Sequence, residues 1–254
     1  MYNAILKYTI RITGIVVIAM VSVYTSNAQT IFDIPKEITN YERSMKEVIN
    51  STASVSLENT LNILDVLISR EGDAYTLSWL KMLQSFDAIT FENIKTLLIG
   101  FWVNRDEIIF TEPNPAFFAK LAREKGTDVD RAFFNNLQKT YPDGVFPVYI
   151  KQYSDWGGCT VFDGETISEI YGIWVKFQKD YPDRYQIRVR GQLKKIEDNI
   201  MGSCICGEEN AYWNELQYFV KKYPDSPITK NVSSRVEKTD KNASYIRFQC
   251  EGGR

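Results

Sequence analysis

From Leu57 onward, Leu57, Leu61, Leu64 and Ile68 recur at helical spacing behind Ser56, a residue type that caps helix starts. After Glu71-Gly72-Asp73 a second series follows, Tyr75, Trp79, Met82 and Phe86. A third, Phe91, Ile94, Leu98 and Phe101, stands behind Thr90 as its cap. An earlier helix is expected after Pro35. Asn114-Pro115 is a helix start with a mechanism, because proline at the first helical position lacks only an N–H that would be unpaired anyway. Thr127 with Asp130 marks the start of the next helix.

The second half repeats one ending three times, with "QKTYPD", "QKDYPD" and "VKKYPD" closing at Asp143, Asp183 and Asp225. Counting back from each Tyr-Pro gives Phe134, Leu137 and Tyr141; Trp174, Phe177 and Tyr181; and Leu216, Phe219 and Tyr223. Each set has the i, i+3, i+7 spacing of one helix face. The proline biases the tyrosine before it away from helical geometry, so each helix stops there. Two endings lead into further apolar stripes, Tyr185, Val189, Leu193, Ile196 and Ile200, and then Ile228, Val232 and Val236 behind Ser226-Pro227. The unit is a helix, a Tyr-Pro-Asp corner and a return helix, and such a unit buries its apolar face only by stacking on neighbours.

"LQYFVKKYPDSP", Leu216 to Pro227, resembles the second-helix ending of the tetratricopeptide-like repeats of bacterial envelope proteins; "WVKFQKDYPD" is similar and "FNNLQKTYPD" less so. The resemblance covers about 128–238 and implies stacked helical hairpins that bind other proteins. It departs from the pattern in two ways. The tyrosines lie 40 and 42 residues apart, against the family's roughly 34, and bulky Leu137, Phe177 and Phe219 stand where that family packs small residues. The fold class expected is all-α, an irregular, solenoid-like array of helical hairpins with a short extended C-terminal tail.

The N-terminus changes the picture of where the chain lives. Lys7 and Arg11 precede an apolar run from Ile12 to Val23, and then come Ser26-Asn27-Ala28 and Gln29, the order of a secretory signal peptide. The run is far shorter than the roughly 20 residues of a membrane-spanning helix, and no later stretch is apolar enough to span. Four regions are expected: a signal peptide over 1–28, an N-terminal helical region over 29–125, the hairpin region over 126–240 and the tail over 241–254, with a periplasmic or secreted mature chain. Asn50, Asn231 and Asn242 each begin an Asn-x-Ser/Thr sequon, which carries meaning only if the protein is a eukaryotic secreted one.

Cysteine usage fits that setting. Cys159, Cys204, Cys206 and Cys250 allow three pairings, and joining Cys204 to Cys206 would strain a very small ring. Cys159 and Cys250 are therefore each expected to bond one member of the Cys-Ile-Cys pair. A four-thiolate zinc site suits a reducing compartment better. "SDWGGC", Ser154 to Cys159, reads as a loop through its paired glycines, and "SYIRFQC", ending at Cys250, alternates like a short strand.

Chemistry is sparse. The chain has no histidine, so Ser-His-Asp and Cys-His catalysis and histidine-ligated metals are excluded. No phosphate-binding or dinucleotide glycine motif occurs, and no cofactor or small-molecule ligand is indicated. With 30 basic and 32 acidic residues interspersed, nothing favours a nucleic-acid partner. An enzyme would rely on carboxylates, as glycosidases do, and Asp155 beside Trp156, with Asp163, Glu165 and Glu169, is the one cluster near aromatics and a glycine loop. The stronger reading has Asp163 capping a helix whose first turn carries Glu165 and Glu169 facing water. Arg184, Arg188 and Lys195, with Arg190 and Lys194 nearby, are a candidate patch for an acidic partner or lipid headgroups, and Arg184, Arg188 and Trp156 of the "SDWGGC" loop are the candidate binding residues; the plainer reading is the solvated face of an amphipathic helix. The expected function is non-catalytic binding of another envelope or secreted protein, with a carboxylate cell-wall glycosidase as the alternative.

Overall fold

The computed structural model describes residues 34–68, 74–106, 109–154, 157–202, 204–237 and 247–248. In chain order the elements are α1 (Lys36–Asn50), α2 (Leu57–Asn62), α3 (Asp65–Ile68), α4 (Ala74–Ser85), α5 (Ala88–Leu97), β1 (Phe101–Asn104), β2 (Phe110–Pro113), α6 (Pro115–Lys125), α7 (Asp128–Thr140), β3 (Ile150–Ser154), β4 (Gly157–Val161), α8 (Thr166–Asp180), α9 (Gln186–Ile200), β5 (Cys204–Cys206), α10 (Glu209–Lys222), α11 (Thr229–Glu237) and β6 (Arg247–Phe248). The chain is mostly helical, but two small sheets correct the all-α expectation: the β1–β2 hairpin, and a four-stranded sheet in the order β3-β4-β5-β6. In the second sheet β3 and β4 are antiparallel, while β4, β5 and β6 run parallel. The signal-peptide expectation over 1–28 lies outside the described residues, as does most of the tail. No described helix is long and apolar enough to cross a membrane.

Capping chemistry places several helices where the sequence puts them. Asn114 accepts the Phe117 N–H at 3.1 Å, with Pro115 opening α6. Thr127 and Asp130 form a reciprocal capping box at α7. Elsewhere the caps differ. Asp87, not Thr90, caps α5 by accepting the Ile89 and Thr90 N–H groups, and Ser56 makes no side-chain cap at α2. The expected Leu57–Ile68 helix breaks at Ile63-Leu64 into α2 and α3. The third apolar series ends at Leu97 instead of running to Phe101, because Leu98 leaves helical geometry and Gly100 takes φ +83°. A side chain at Gly100 would meet the Phe117 ring at 2.4 Å.

The three Tyr-Pro-Asp endings share one conformation. Tyr141, Tyr181 and Tyr223 close their helices at φ/ψ −127°/72°, −135°/65° and −125°/63°, each donating its N–H to the carbonyl four residues back. The helices they end, α7, α8 and α10, pack beside α6, α9 and α11 respectively. Return helices follow the second and third endings only; after Tyr141 the chain passes through residues 142–149 into β3. From Pro35 onward the described elements belong to one compact unit, and position 125/126 falls between the two packed helices α6 and α7.

An aromatic chain runs through the core. Phe118 stacks on Phe134, which meets Phe133 edge-on, and Phe133 lies flat against Tyr185 with centroids 3.9 Å apart. Trp174, Phe177 and Phe219 are buried farther along. Burying such rings supplies most of the stabilisation, about 1.5–3 kcal/mol for each large apolar side chain.

Candidate functional site

Alternation along β1 and β2 divides their side chains between two environments. Phe101 packs edge-on against Tyr41 and Phe118, and Thr111 accepts the Trp79 indole N–H at 3.1 Å, so this face belongs to the core. The register pairs Trp102 with Glu112 and Asn104 with Phe110. These four share the opposite face, and that face is the wall of two clefts.

In the first cleft, about 650 Å³, Trp102 and Glu112 look across at Leu137 and Tyr141 of the α7 end and at Ile187 and Arg190 of α9. In the second, about 820 Å³, Asn104 and Phe110 face Phe146 and Val148 and the β3 residues Ile150 and Gln152. Gly144 and Val145 line both clefts. The two clefts therefore adjoin at Gly144-Val145 along the hairpin face, and the pair is the trough. Val148 and Ile187, at 43% and 48% exposure, are among the few large apolar side chains left open to water.

The trough is charged unevenly. Its α9 side carries Arg188, Arg190, Lys194 and Lys195 against Glu112 and Asp198, whereas the second cleft is lined by Asp106 and Asp143 with no basic residue. Lys194 pairs with Asp198 at 2.7 Å, a bond that holds its ammonium above the ordinary lysine value. Tyr141 donates to Gln192 at 3.0 Å and ties the end of α7 to α9.

The predicted binding arginines both pair with the chain's own acids: Arg184 just before α9, and Arg188 on α9, where it also lines the first cleft. Arg184 pairs with Glu58 at 2.5 Å and donates to the Ser56 hydroxyl at 3.2 Å. Arg188 pairs with Asp65 and donates to the Leu61 carbonyl at 3.3 Å. Glu58 also accepts the backbone N–H of Tyr185, a residue at φ +52° whose hydroxyl donates to buried Asp130 at 2.5 Å. Burial, and then the Asp130 charge, push the Tyr185 phenol far above its usual range. These groups clamp α9 and the residues before it to α2, α3 and α7.

Of the predicted carboxylates, the described ones, Asp163, Glu165 and Glu169, do not line either cleft. Asp155 and Trp156 lie outside the described residues. Asp163 is exposed and three residues short of the helix it was expected to cap; α8 begins after Glu165, which sits at φ +77° and makes no side-chain cap bond. The cap comes instead from α10, where buried Glu215 accepts the N–H groups of Glu165 at 2.7 Å and Ser168 at 3.0 Å. Glu169 is exposed in the first turn, and neither Glu165 nor Glu169 lines the trough. Among the described residues no cluster of three metal-ligating side chains occurs.

Cys159 of β4 and Cys206 of β5 form a disulfide, one of the bonds expected between Cys159 and the Cys-Ile-Cys pair. Cys204 is disulfide-bonded as well, and Cys250 lies outside the described residues. Sequence reasoning missed Trp102, Phe110 and the 142–148 segment; the short aromatic and β-branched runs Phe101-Trp102-Val103 and Ile108-Ile109-Phe110-Thr111 on either side of Arg105-Asp106 were the available signal. Comparison with family models, with curated proteins and with solved structures gives no match to this chain.

Proposed function

We propose that this chain is an exported, non-catalytic helical protein that binds another protein of the envelope or secretome, with the trough as its docking surface. The trough carries the reading: an open surface of mixed apolar and charged lining in which exposed Ile187 stands on α9, held by the Arg188–Asp65 pair, and exposed Val148 is tied through its N–H to the Thr140 carbonyl. Exposed apolar patches with charged rims mark interaction sites more often than they mark plain surface. The signal-peptide pattern supports export, and the Cys159–Cys206 bond suits an oxidising compartment. The tetratricopeptide-like resemblance of the Tyr-Pro-Asp hairpins points to the same class of activity. The glycosidase alternative lacks a comparable observation, since its described carboxylates, Glu165 and Glu169, stand apart from the trough.

The test is affinity capture by the oxidised mature protein from its own envelope and secretome, repeated with Val148→Asp and Ile187→Asp. Ile49→Asp serves as control, because Ile49 is 39% exposed and lines neither cleft. A specific protein retained by wild type and control and lost by both trough variants is the expected result. A partner retained by both trough variants would move the docking surface elsewhere; recovery of glycan fragments in place of a protein would overturn the reading.

A further inference from the structure

We infer that the trough takes its partner as an extended strand added to the open edge of β3, with the acidic end of the added segment toward α9 and a basic end toward Asp106. This rests on the protein-binding reading above and names how that binding is made.

The edge is read from the backbone. Val161 donates its N–H to the Tyr149 carbonyl at 2.8 Å, and the register then pairs Ile150 with Thr160, Lys151 with Cys159 and Gln152 with Gly158. In an antiparallel ladder, residues along a strand alternate between turning their main-chain groups toward the partner and away from it. Tyr149 and Lys151 therefore address β4, while Ile150 and Gln152 point the other way. The Ile150 N–H is taken by the Pro147 carbonyl at 2.8 Å. The Ile150 carbonyl and both main-chain groups of Gln152 remain on the outer edge, and β3 is the terminal strand of its sheet among the described residues. A bulge between Gln152 and Ser154 confines pairing to this short stretch.

Those edge groups open on the trough. The side chains of Ile150 and Gln152 line the second cleft, across from Phe110 and Asn104. On the same face the position opposite Gln152 is Gly158, where a Cβ would come within 2.7 Å of Ile150 Cγ2, so the absence of a side chain there leaves room for Ile150. An added strand would satisfy backbone groups on β3 and press alternate apolar side chains toward Phe110 and Val148, the division of labour in strand-addition complexes. Charge sets the polarity. Arg190 makes no ion pair among the described residues on the α9 side, and neither Asp106 nor Asp143 makes one in the second cleft. An extended polypeptide with opposite charges at its two ends matches both.

The probes are synthetic peptides of about eight residues, alternating Val and Thr, with Glu at one end and Lys at the other, made in both chain directions and titrated into the oxidised mature protein by NMR. One direction is expected to bind about tenfold more tightly than the other, and the Arg190→Glu, Asp106→Lys double variant to invert that preference. N-methylation of one alternate set of peptide amides should weaken binding at least about tenfold, and methylation of the other set should leave it unchanged. Because the peptide carries that change, the result does not depend on a variant's folding. Binding that tolerates both methylation patterns, a direction preference that survives the charge swap, or no saturable binding would each overturn strand addition. So would self-association of the protein through the trough, seen by sedimentation and abolished by Ile187→Asp. A protein captured from the envelope in the absence of peptide binding would leave the protein-binding reading standing and remove only the strand mechanism; failure of both experiments removes both.

Discussion

Arg188 lines the first cleft and is at the same time tied to the chain's own Asp65. Its guanidinium pairs with Asp65 where the two side chains are only 13% and 18% exposed. Removing one member of such a pair leaves the other poorly solvated and unpaired. Arg188→Ala is expected to cost about 2–4 kcal/mol in urea unfolding, whereas Arg190→Ala, on the same helix but exposed, should stay within about 0.5 kcal/mol. Glu197 offers a residue-scale test in pH. Burial raises its pKa above the ordinary 4.5, outweighing the Tyr171 hydroxyl that donates to it at 3.1 Å. The folded state therefore binds more protons at this site than the unfolded chain does, and this contribution to stability is full below 4.5 and is lost as pH rises through the folded value. Glu197→Gln keeps an acceptor for Tyr171 and should flatten the fall in stability above pH 4.5, read from unfolding midpoints across that range.

At the scale of elements, the helix endings were legible because proline acts locally: Tyr141, Tyr181 and Tyr223 adopt one conformation for a reason carried within a few residues of each. The Thr127–Asp130 box and the Asn114-Pro115 start were legible for the same reason. What escaped depends on distant chain. The cap of α8 is Glu215, about 50 positions away, and the trough draws on β1–β2, residues 142–148 and α9, none of which announces the others. Glu215→Ala should strip two helix N–H groups of their buried acceptor and cost about 3 kcal/mol; Glu215→Gln, which keeps one acceptor oxygen, should cost less in the same unfolding assay. Gly172 in α8 makes a sharper test. Alanine there gains about 1 kcal/mol of helix propensity, yet its Cβ would fall 2.3 Å from the Tyr223 hydroxyl, which donates to the Ser168 carbonyl at 2.8 Å. Gly172→Ala should destabilise the wild type and be close to neutral in a Tyr223→Phe background. Additive effects in that double-mutant cycle would contradict the close approach of α8 to the third Tyr-Pro-Asp corner.

Across the whole molecule, the mixed sheet gathers strands from residue 150 to residue 248; among the described residues β5 meets β4 and β6 through two two-residue parallel ladders, and the Cys159–Cys206 disulfide adds a covalent link from β5 to β4. Two-residue parallel ladders hold little by themselves, so the covalent link carries much of the joining of β4 to β5. The bond spans a sequence separation of 47, and a loop of that size restricts the unfolded chain by about 4 kcal/mol in the entropy model. Reduction should accordingly lower the urea midpoint by the equivalent of about 2–5 kcal/mol, and it should act on binding too, because β3 reaches the rest of the sheet only through β4. Peptide mapping of the oxidised protein is expected to recover Cys159 joined to Cys206 and, since Cys204 is also bonded and the sequence holds one further cysteine, Cys204 joined to Cys250. Reduced protein that keeps its midpoint would place the joining of β4 to β5 in the helices packed around the sheet instead.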